Sequence, residues 1–547
     1  MSQKPAIRQL TIGVHDFPGL IQDEASKYVD KTDLLYELAR RKKDAQYFIS
    51  RPRRFGKSLM LSTLQAMFEG RRDLFKGLKI EDEDWEGWTT PVPVLHFDMA
   101  KLAPSEGIPA MTETLRLLID EKAEEAGCDK PSTELLGFAF EELLSSVAKK
   151  SPTGKLVVLI DEYDSPVQGF LDNPAELKKV NAFLHDFYRR LKNNAAIIRF
   201  LMITGVTKLT KLSVFSGLNH LIDLSMDPRF ATLLGYTPRE LDGALRENVE
   251  ALGARLGMGY DETRGKILEW YDGYRFSPQS KERVVNPVSI GKLFSPSGGE
   301  FKSYWETTGG SALVFNRVKA IGKLPEDFEN LRADAMMLDV CDAATLPVEA
   351  LLYQSGYLTI KDVIPPPKQT SEEAEADPKM ATYVLAPPNL EIRASLKRGF
   401  ISQVLGMKEA PFDTLLDRAK RLIASGDINE VVETMLFSLY AQVPPDWRIK
   451  DEAEAKRYFQ LFFTMLGADP APEFPSARGY ADAVIQRPDA VFVVEFKYDR
   501  TVEEAMRQIR DMGYAEKWRG GPRPVTLVGV NFNSAKRNID IPLIEPL

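Results

Sequence analysis

The sequence predicts a multidomain α/β protein: a doubly wound parallel sheet first, a mainly helical middle region, and a smaller α/β domain at the end. Three observations carry that expectation. Four short runs in the first 210 residues are apolar throughout and separated by helical periodicity, as parallel strands covered on both faces are. Near residue 236 the pattern turns mainly helical. Over the last hundred residues, strand-like runs return on both sides of a helical stretch. A chain of 547 residues is too long for one hydrophobic core. The expected domains are 1–235, 236–445 and 446–547.

The four apolar runs are AQYFIS (45–50), VPVLHFDMA (92–100), KLVVLIDEY (155–163) and AIIRFLMITG (196–205). TPRELDGALRENVEALGARLG (237–257) is an amphipathic helical stretch. LLYQSGYLTIKDV (351–363) and ATYVLAPP (381–388) read as paired strands, and the Pro- and acid-rich segment 364–379 between them reads as an exposed loop. A helical region, roughly 390–440, ends at the prolines of AQVPPDWRIKDEAEAK (441–456), which mark a boundary. A helix is then expected over 451–466, strands at YADAVIQ (480–486) and AVFVVEFKY (490–498), a helix over 501–517, and a strand at PVTLVGVNF (524–532).

Composition narrows the function classes. Hydrophobic residues at 44% and charged residues at 27% are ordinary for soluble globular protein. The net charge of −8 does not advertise nucleic-acid binding, which would need a local basic patch. Two cysteines, Cys128 and Cys341, exclude a disulfide framework, a Cys-rich zinc site and an iron–sulfur site. With His15, His96, His185 and His220 as the full histidine complement, a histidine-based metal site is not expected either. The N-terminus lacks a signal-peptide apolar run, and no stretch approaches the roughly 18 apolar residues of a membrane span. A cytoplasmic protein without membrane partners is expected.

FISRPRRFGKSLMLSTLQAMF reads strand, tight loop, helix, and Gly56-Lys57-Ser58 is the tail of a Walker A motif. Glycine lets the backbone approach phosphate oxygens, lysine reaches the β- and γ-phosphates, and the hydroxyl coordinates Mg²⁺. Arg51 stands where the motif's first glycine belongs. Standing alone, the tripeptide fits a helix N-terminus with a surface lysine equally well. About a hundred residues on, LVVLIDEYD ends a hydrophobic strand in Asp161-Glu162, a Walker B pattern. Aspartate there holds the Mg²⁺ shell and glutamate polarises the attacking water. Together the motifs predict a P-loop NTPase. Thr204 and Thr207 at the end of the next strand suit a sensor of the γ-phosphate, or are ordinary strand-end threonines.

In SARGYADAVIQRPDAVFVVEFKYD, a turn at Arg487-Pro488-Asp489 would bring Asp482 beside Glu495 and Lys497. Alternation puts Glu495 and Lys497 on one face and Phe496 on the other. Two hard carboxylates suit Mg²⁺ or Mn²⁺, and a lysine stabilises phosphodiester charge, the arrangement of PD-(D/E)XK nucleases. The bland alternative is a solvated hairpin face, disfavoured because the carboxylates lie in apolar runs. Gln508 and Tyr514 on the following helix are candidates for contact with DNA or the metal shell. Lys/Arg at 507, 510, 517, 519, 523, 536 and 537 outnumber Asp511 and Glu516, giving a candidate phosphate-binding patch or a solvated face; Arg507 and Lys517 belong to it. Glu454 is a candidate third carboxylate.

These residues support a resemblance. YVDKT (28–32), RPRRFGKS (51–58), LIDEYDSP (159–166), TGVTKL (204–209), WYDGYRF (270–276), NPVSI (286–290), YWETT (304–308), LLYQSGYLTI (351–360), EFKYD (495–499) and the Gln508/Tyr514 pair occur in family order. Over most of its length the chain resembles the bacterial AAA-ATPase-like family that carries a C-terminal PD-(D/E)XK nuclease domain. The resemblance implies a restriction-endonuclease-like α/β fold at the C-terminus and an Arg51 that is normal for the group. ATP and its Mg²⁺ would be held by Arg54, Phe55, Gly56, Lys57, Ser58, Asp161 and Thr204, with Glu162 catalytic. The nuclease roles fall on Asp482, Glu495 and Lys497. Arg275 is either an arginine sensing nucleotide state or a structural one among its aromatic neighbours. Similar fusions look like defence or mobile-element proteins in which nucleotide state controls DNA cleavage. Two functions stand: an ATP-regulated, metal-dependent nuclease acting on nucleic acid, with DNA expected, or a nucleotide-dependent switch whose nuclease fold only docks nucleic acid or protein. Homo-oligomerisation stays open.

Overall fold

The computed structural model describes residues 7–41, 45–102, 107–171, 173–208, 221–305, 325–338, 346–367, 380–405, 449–465, 471–476 and 478–547, with isolated positions between them. Outside the described residues lie Cys341, His220, Leu209, residues 306–308 of YWETT, segment 368–379, and most of 406–448 with the prolines expected to mark a boundary.

All four apolar runs are strands: β1 (Gln46–Ser50), β2 (Val94–Asp98), β3 (Leu156–Asp161) and β4 (Ile198–Gly205). A two-residue strand, β5 (Ile222–Asp223), was not foreseen, being too short to carry a pattern. They form one sheet of order β2-β3-β4-β1-β5 in which every pair is parallel. All six residues of β3 are buried, each apolar side chain contributing about 1.5–3 kcal/mol relative to exposure. Because the strands are parallel, the residues that follow their C-terminal ends gather at one edge, where α/β sheets bind ligands. Register sets Asp98 opposite Asp161, Ile49 opposite Thr204 and Ser50 opposite Gly205.

The helical middle does not stand alone. The chain divides into two compact units, residues 1–307 with 326–393, and 308–325 with 394–547, where three domains were expected. The reason is a shared core: Leu10 and Val29 pack with Leu241, Leu245, Val249, Leu252, Ile267 and Tyr271. The amphipathic stretch at 237–257 is two helices, Pro238–Asp242 and Arg246–Leu256. Thr237 and Glu240 form a reciprocal cap at the first. Of the expected strand pair, 348–354 is helix, and strand begins at Thr359. The three-stranded sheet there is β6 (Leu331–Ala333), β7 (Thr359–Ile364) and β8 (Thr382–Ala386), order β6-β8-β7, antiparallel.

The second unit holds the helix Glu452–Met465, β9 (Ala471–Ser476), β10 (Gly479–Gln486), β11 (Val491–Tyr498), the helix Val502–Asp511, β12 (Val525–Asn533), β13 (Asn538–Ile539) and β14 (Leu543–Pro546). The sheet is mixed, order β13-β12-β11-β10-β9, with β14 also pairing β12. β10 and β11 are antiparallel, whereas β11 and β12 are parallel and joined through the Val502–Asp511 helix. That helix buries Met506 and Ile509 against Val491, Val493, Val525 and Leu527. Among the described residues no helix is long and apolar enough to cross a membrane.

Candidate functional site

The candidate phosphate-binding loop leaves β1 and enters the helix Lys57–Phe68 through two left-handed residues, Arg54 (φ 69°) and Gly56 (φ 93°). Glycine meets that requirement at little cost; an arginine there is held by its surroundings. Lys57 is buried, and its Nζ donates to the carbonyls of Arg51 (3.0 Å) and Pro52 (3.2 Å). Burial lowers the Lys57 pKa, while Glu162, Asp161 and Asp164 oppose the shift. The N-cap residue Gly56 has no side chain to cap the helix start, so it sets no competing oxygen against the first amides.

Asp161 lies at the tip of β3, 4% exposed, and Thr204 Oγ1 donates to its Oδ1. Glu162 follows with φ 50°, a strained backbone for a non-glycine residue. Burial raises the Glu162 carboxyl pKa, Lys57 lowers it, and Asp161 raises it further. Thr207, by contrast, is committed elsewhere. Asp164, fully buried, accepts from Val206 N (3.1 Å), Thr207 N (2.9 Å) and Thr207 Oγ1 (2.7 Å). It pins the end of β4, and sequence reasoning gave it no role.

Three motifs of the middle region meet the loop. Phe55, 1% exposed, packs edge-on to Tyr274 (4.9 Å) and Phe276 (5.3 Å) of WYDGYRF, so its ring is a core anchor and not a ligand contact. Arg51, 2% exposed, lies 4.1 Å over the Phe276 ring and donates through Nη1 to Ser50 O (2.9 Å) and Ser225 O (2.7 Å). Burial lowers its pKa to about 10. The residue that breaks the Walker pattern is therefore a packing element. Asn286 of NPVSI caps the helix Pro287–Phe294 and donates to Arg53 O (3.4 Å). Gly356 (φ 89°) packs on Pro52, and a Cβ there would come within 2.7 Å of it.

Arg275 does not reach the loop. Its guanidinium donates to the carbonyls of Ser277 (3.1 Å), Ser280 (2.5 Å) and Pro278 (2.7 Å), which corrects the nucleotide-sensor expectation in favour of a structural arginine. Lys208 pairs with Asp223 at 2.9 Å, and its amide donates to Gln354 Oε1 (2.8 Å).

In the C-terminal unit the turn at 487–489 forms, closed by Arg487 N donating to Ala490 O (2.9 Å). The β10–β11 pairing runs from Gln486–Val491 to Ala483–Val494 and stops there. Beyond that point Asp482, Glu495 and Lys497 converge. Asp482 Oδ2 accepts Phe496 N (2.7 Å), and Lys497 Nζ donates to Glu495 Oε1 (2.9 Å) and Phe496 O (2.8 Å). Glu495 is 1% exposed, and among the described residues its Oε2 has no hydrogen-bond partner. Burial, then Asp482, push its pKa up to about 7, against Lys497 and Lys456. Among the described residues no three His, Cys, Asp or Glu form a metal cage. Two carboxylates with one orphaned oxygen fit Mg²⁺, which keeps waters and takes one or two carboxylates.

Neighbouring expectations need correction. Glu454 Oε2 accepts Lys450 N (2.8 Å) at the helix start, while Lys456 on that helix reaches Asp482 Oδ1 at 2.6 Å and Glu452 at 2.8 Å. Tyr514 is buried in the core with Ile509 and Trp518 and accepts from Gln508 Nε2 (3.2 Å), so it offers nucleic acid no face. The basic patch is partly neutralised: Arg510 pairs with Glu545, Arg519 with Glu516 and Lys536 with Asp540. Arg507 and Lys517 are exposed.

Comparison with known proteins matches a family model to each of the two regions that hold these residues. Residues 11–215 match the predicted AAA-ATPase family model, and residues 450–541 match the PD-(D/E)XK nuclease superfamily model. The chain is 31% identical over 549 positions to the uncharacterized protein in the vnfD 5′ region of Azotobacter chroococcum mcd 1, with 99% of each chain covered. The chain belongs to the AAA-ATPase-like family with a C-terminal PD-(D/E)XK domain. No solved structure matches it. The AAA-ATPase-like domain thus owns the Lys57–Asp161–Glu162 edge, and the PD-(D/E)XK domain owns Asp482, Glu495 and Lys497.

Proposed function

We propose that this protein binds and hydrolyses ATP, and that its nucleotide state controls Mg²⁺- or Mn²⁺-dependent cleavage of nucleic acid, DNA foremost, by the C-terminal domain. One observation carries the nuclease half: a buried Glu495 with an unpartnered oxygen, next to Asp482 and 2.9 Å from Lys497. A buried carboxyl oxygen left without a partner costs stability, a cost that a bound divalent ion would offset. Asp482 and Glu495 would hold the divalent ion, which when bound supplies a positive centre for phosphodiester oxygens and an acidified water. Lys497 would stabilise charge developing on the phosphate.

At the other site Lys57 exchanges its two carbonyl partners for β- and γ-phosphate oxygens. Ser58 and Asp161 would share the Mg²⁺ shell, with Thr204 orienting Asp161 through their hydrogen bond. Glu162 would orient the attacking water. Arg54 and Gly56 shape the loop, Arg507 and Lys517 offer exposed charge to a phosphate backbone, and Gln508 lies on the same helix as Arg507. A cytoplasmic role in defence or mobile-element control is proposed on the family resemblance.

The test is full-length protein with plasmid and single-stranded DNA in Mg²⁺ or Mn²⁺. Asp482→Ala eliminates cleavage and weakens metal binding, whereas Lys497→Ala eliminates cleavage and leaves metal binding largely intact. ATP binding is unchanged in both. Wild-type cleavage rates in both variants would refute the assignment.

A further inference from the structure

Lys456 is a charged group that the proposed nuclease chemistry does not use. It projects from the helix Glu452–Met465 with its ammonium 2.6 Å from Asp482 Oδ1 and 2.8 Å from Glu452 Oε1. The other Asp482 oxygen, Oδ2, is taken by the Phe496 amide at 2.7 Å. Oδ1 is thus the Asp482 oxygen that no backbone amide engages in this pair of contacts, and Lys456 holds it. Burial disfavours the charge on Lys456, but its hydrogen bonds to Asp482 and Glu452 outweigh that and keep it protonated. Glu452 lies one helical turn before Lys456, so an ammonium displaced from Asp482 keeps a carboxylate partner without leaving its own helix.

We propose that Lys456 is the resting counter-ion of the metal centre: its ammonium fills the cation position at Asp482 Oδ1 and must move to Glu452 alone before a divalent ion can be held by Asp482 and Glu495. The inference rests on the metal-centre reading given above. It makes metal loading a competition within the protein, so affinity at rest is set by Lys456 as much as by the carboxylates. A flexible four-carbon stem lets the ammonium swing, which a rigid guanidinium fork does less readily.

The experiment is calorimetric titration of the full-length protein with Mn²⁺, comparing wild type, Lys456→Met, Lys456→Arg and Asp482→Asn. Removing the competing charge makes Lys456→Met bind Mn²⁺ on the order of tenfold more tightly. Lys456→Arg keeps the charge and gains nothing, and Asp482→Asn loses the site. The rise in unfolding temperature between EDTA and saturating Mn²⁺ reads the same linkage and reports folding of each variant. Should Lys456→Met be unstable in EDTA, Lys456→Gln, neutral but still able to hydrogen-bond, shows the same direction. If these neutral variants bind no more tightly than wild type while Asp482→Asn abolishes binding, the counter-ion role is overturned and the metal centre stands. If wild type and the neutral variants all fail to bind Mn²⁺, the metal-centre reading falls and the counter-ion role with it.

Discussion

Replacing Asp164 with alanine strips three hydrogen bonds from the end of β4: those from Val206 N, Thr207 N and Thr207 Oγ1. The carboxylate is fully buried, so no water replaces it. Bonds to a charged acceptor contribute about 1.5–3 kcal/mol each, and a buried donor left unpaired costs about 1–3 kcal/mol. These costs do not add fully, and removing the carboxylate also removes its own desolvation penalty. The net local loss comes to about 3–5 kcal/mol, the range for breaking a buried charged contact from one side. Hydrogen exchange read by mass spectrometry on peptides spanning 203–208 measures this directly. At about 1.4 kcal/mol per decade, the Val206 and Thr207 amides should exchange at least about a hundredfold faster. Asp164→Asn, which keeps one oxygen, should fall between. ATP affinity should drop as well, because the same strand end presents Thr204 to Asp161. Exchange at 203–208 within about threefold of wild type in a folded Asp164→Ala protein would refute the anchoring role.

Lys57→Ala should abolish ATP binding by calorimetry, while Glu162→Gln should retain binding and lose hydrolysis by about 10²-fold or more. Equal ATP affinity in wild type and Lys57→Ala would sink the loop assignment. The Glu495 carboxyl, raised by burial to about 7 from an ordinary value of 4.5, is neutral in the fold at pH where the unfolded chain is already ionised. Its contribution to stability is therefore complete below about pH 4.5 and is lost as pH climbs through about 7. In EDTA, urea unfolding of wild type relative to Glu495→Gln should show that loss between about pH 5 and pH 8. A difference that stays constant over that window would contradict it.

The legible parts of the fold were those where one residue pattern has one structural outcome. Continuous apolar runs bounded by helical periodicity gave β1 to β4, and β11 was legible because Glu495 and Lys497 interrupt an otherwise apolar strand. What failed were features decided by tertiary contact. β5 and β13 have two residues each, too few for periodicity, and exist because a neighbouring strand offers hydrogen bonds. The 348–354 segment is as apolar as a strand, but its burial pattern is settled by packing in three dimensions. At the candidate sites, residue identity singled out Lys57, Asp161, Glu162, Asp482, Glu495 and Lys497. It could not announce Lys456, whose relevance comes from the helix face that meets β10, nor separate Glu452 from Glu454 two positions away. Phe55 was misassigned for a related reason: its motif position suggested ligand contact, while WYDGYRF packs on it from more than two hundred residues downstream.

Control of the nuclease by the ATPase-like domain, as proposed, is read by cleavage rate under defined nucleotide states. Supercoiled plasmid is incubated with the full-length protein in Mg²⁺ with ATP, with ADP and without nucleotide, alongside Lys57→Ala. Wild type should cleave at different rates in the three states and Lys57→Ala at a single, nucleotide-independent rate, with Asp482→Ala inactive throughout. Identical wild-type rates in all three states would contradict it and leave two domains that share a chain without sharing control.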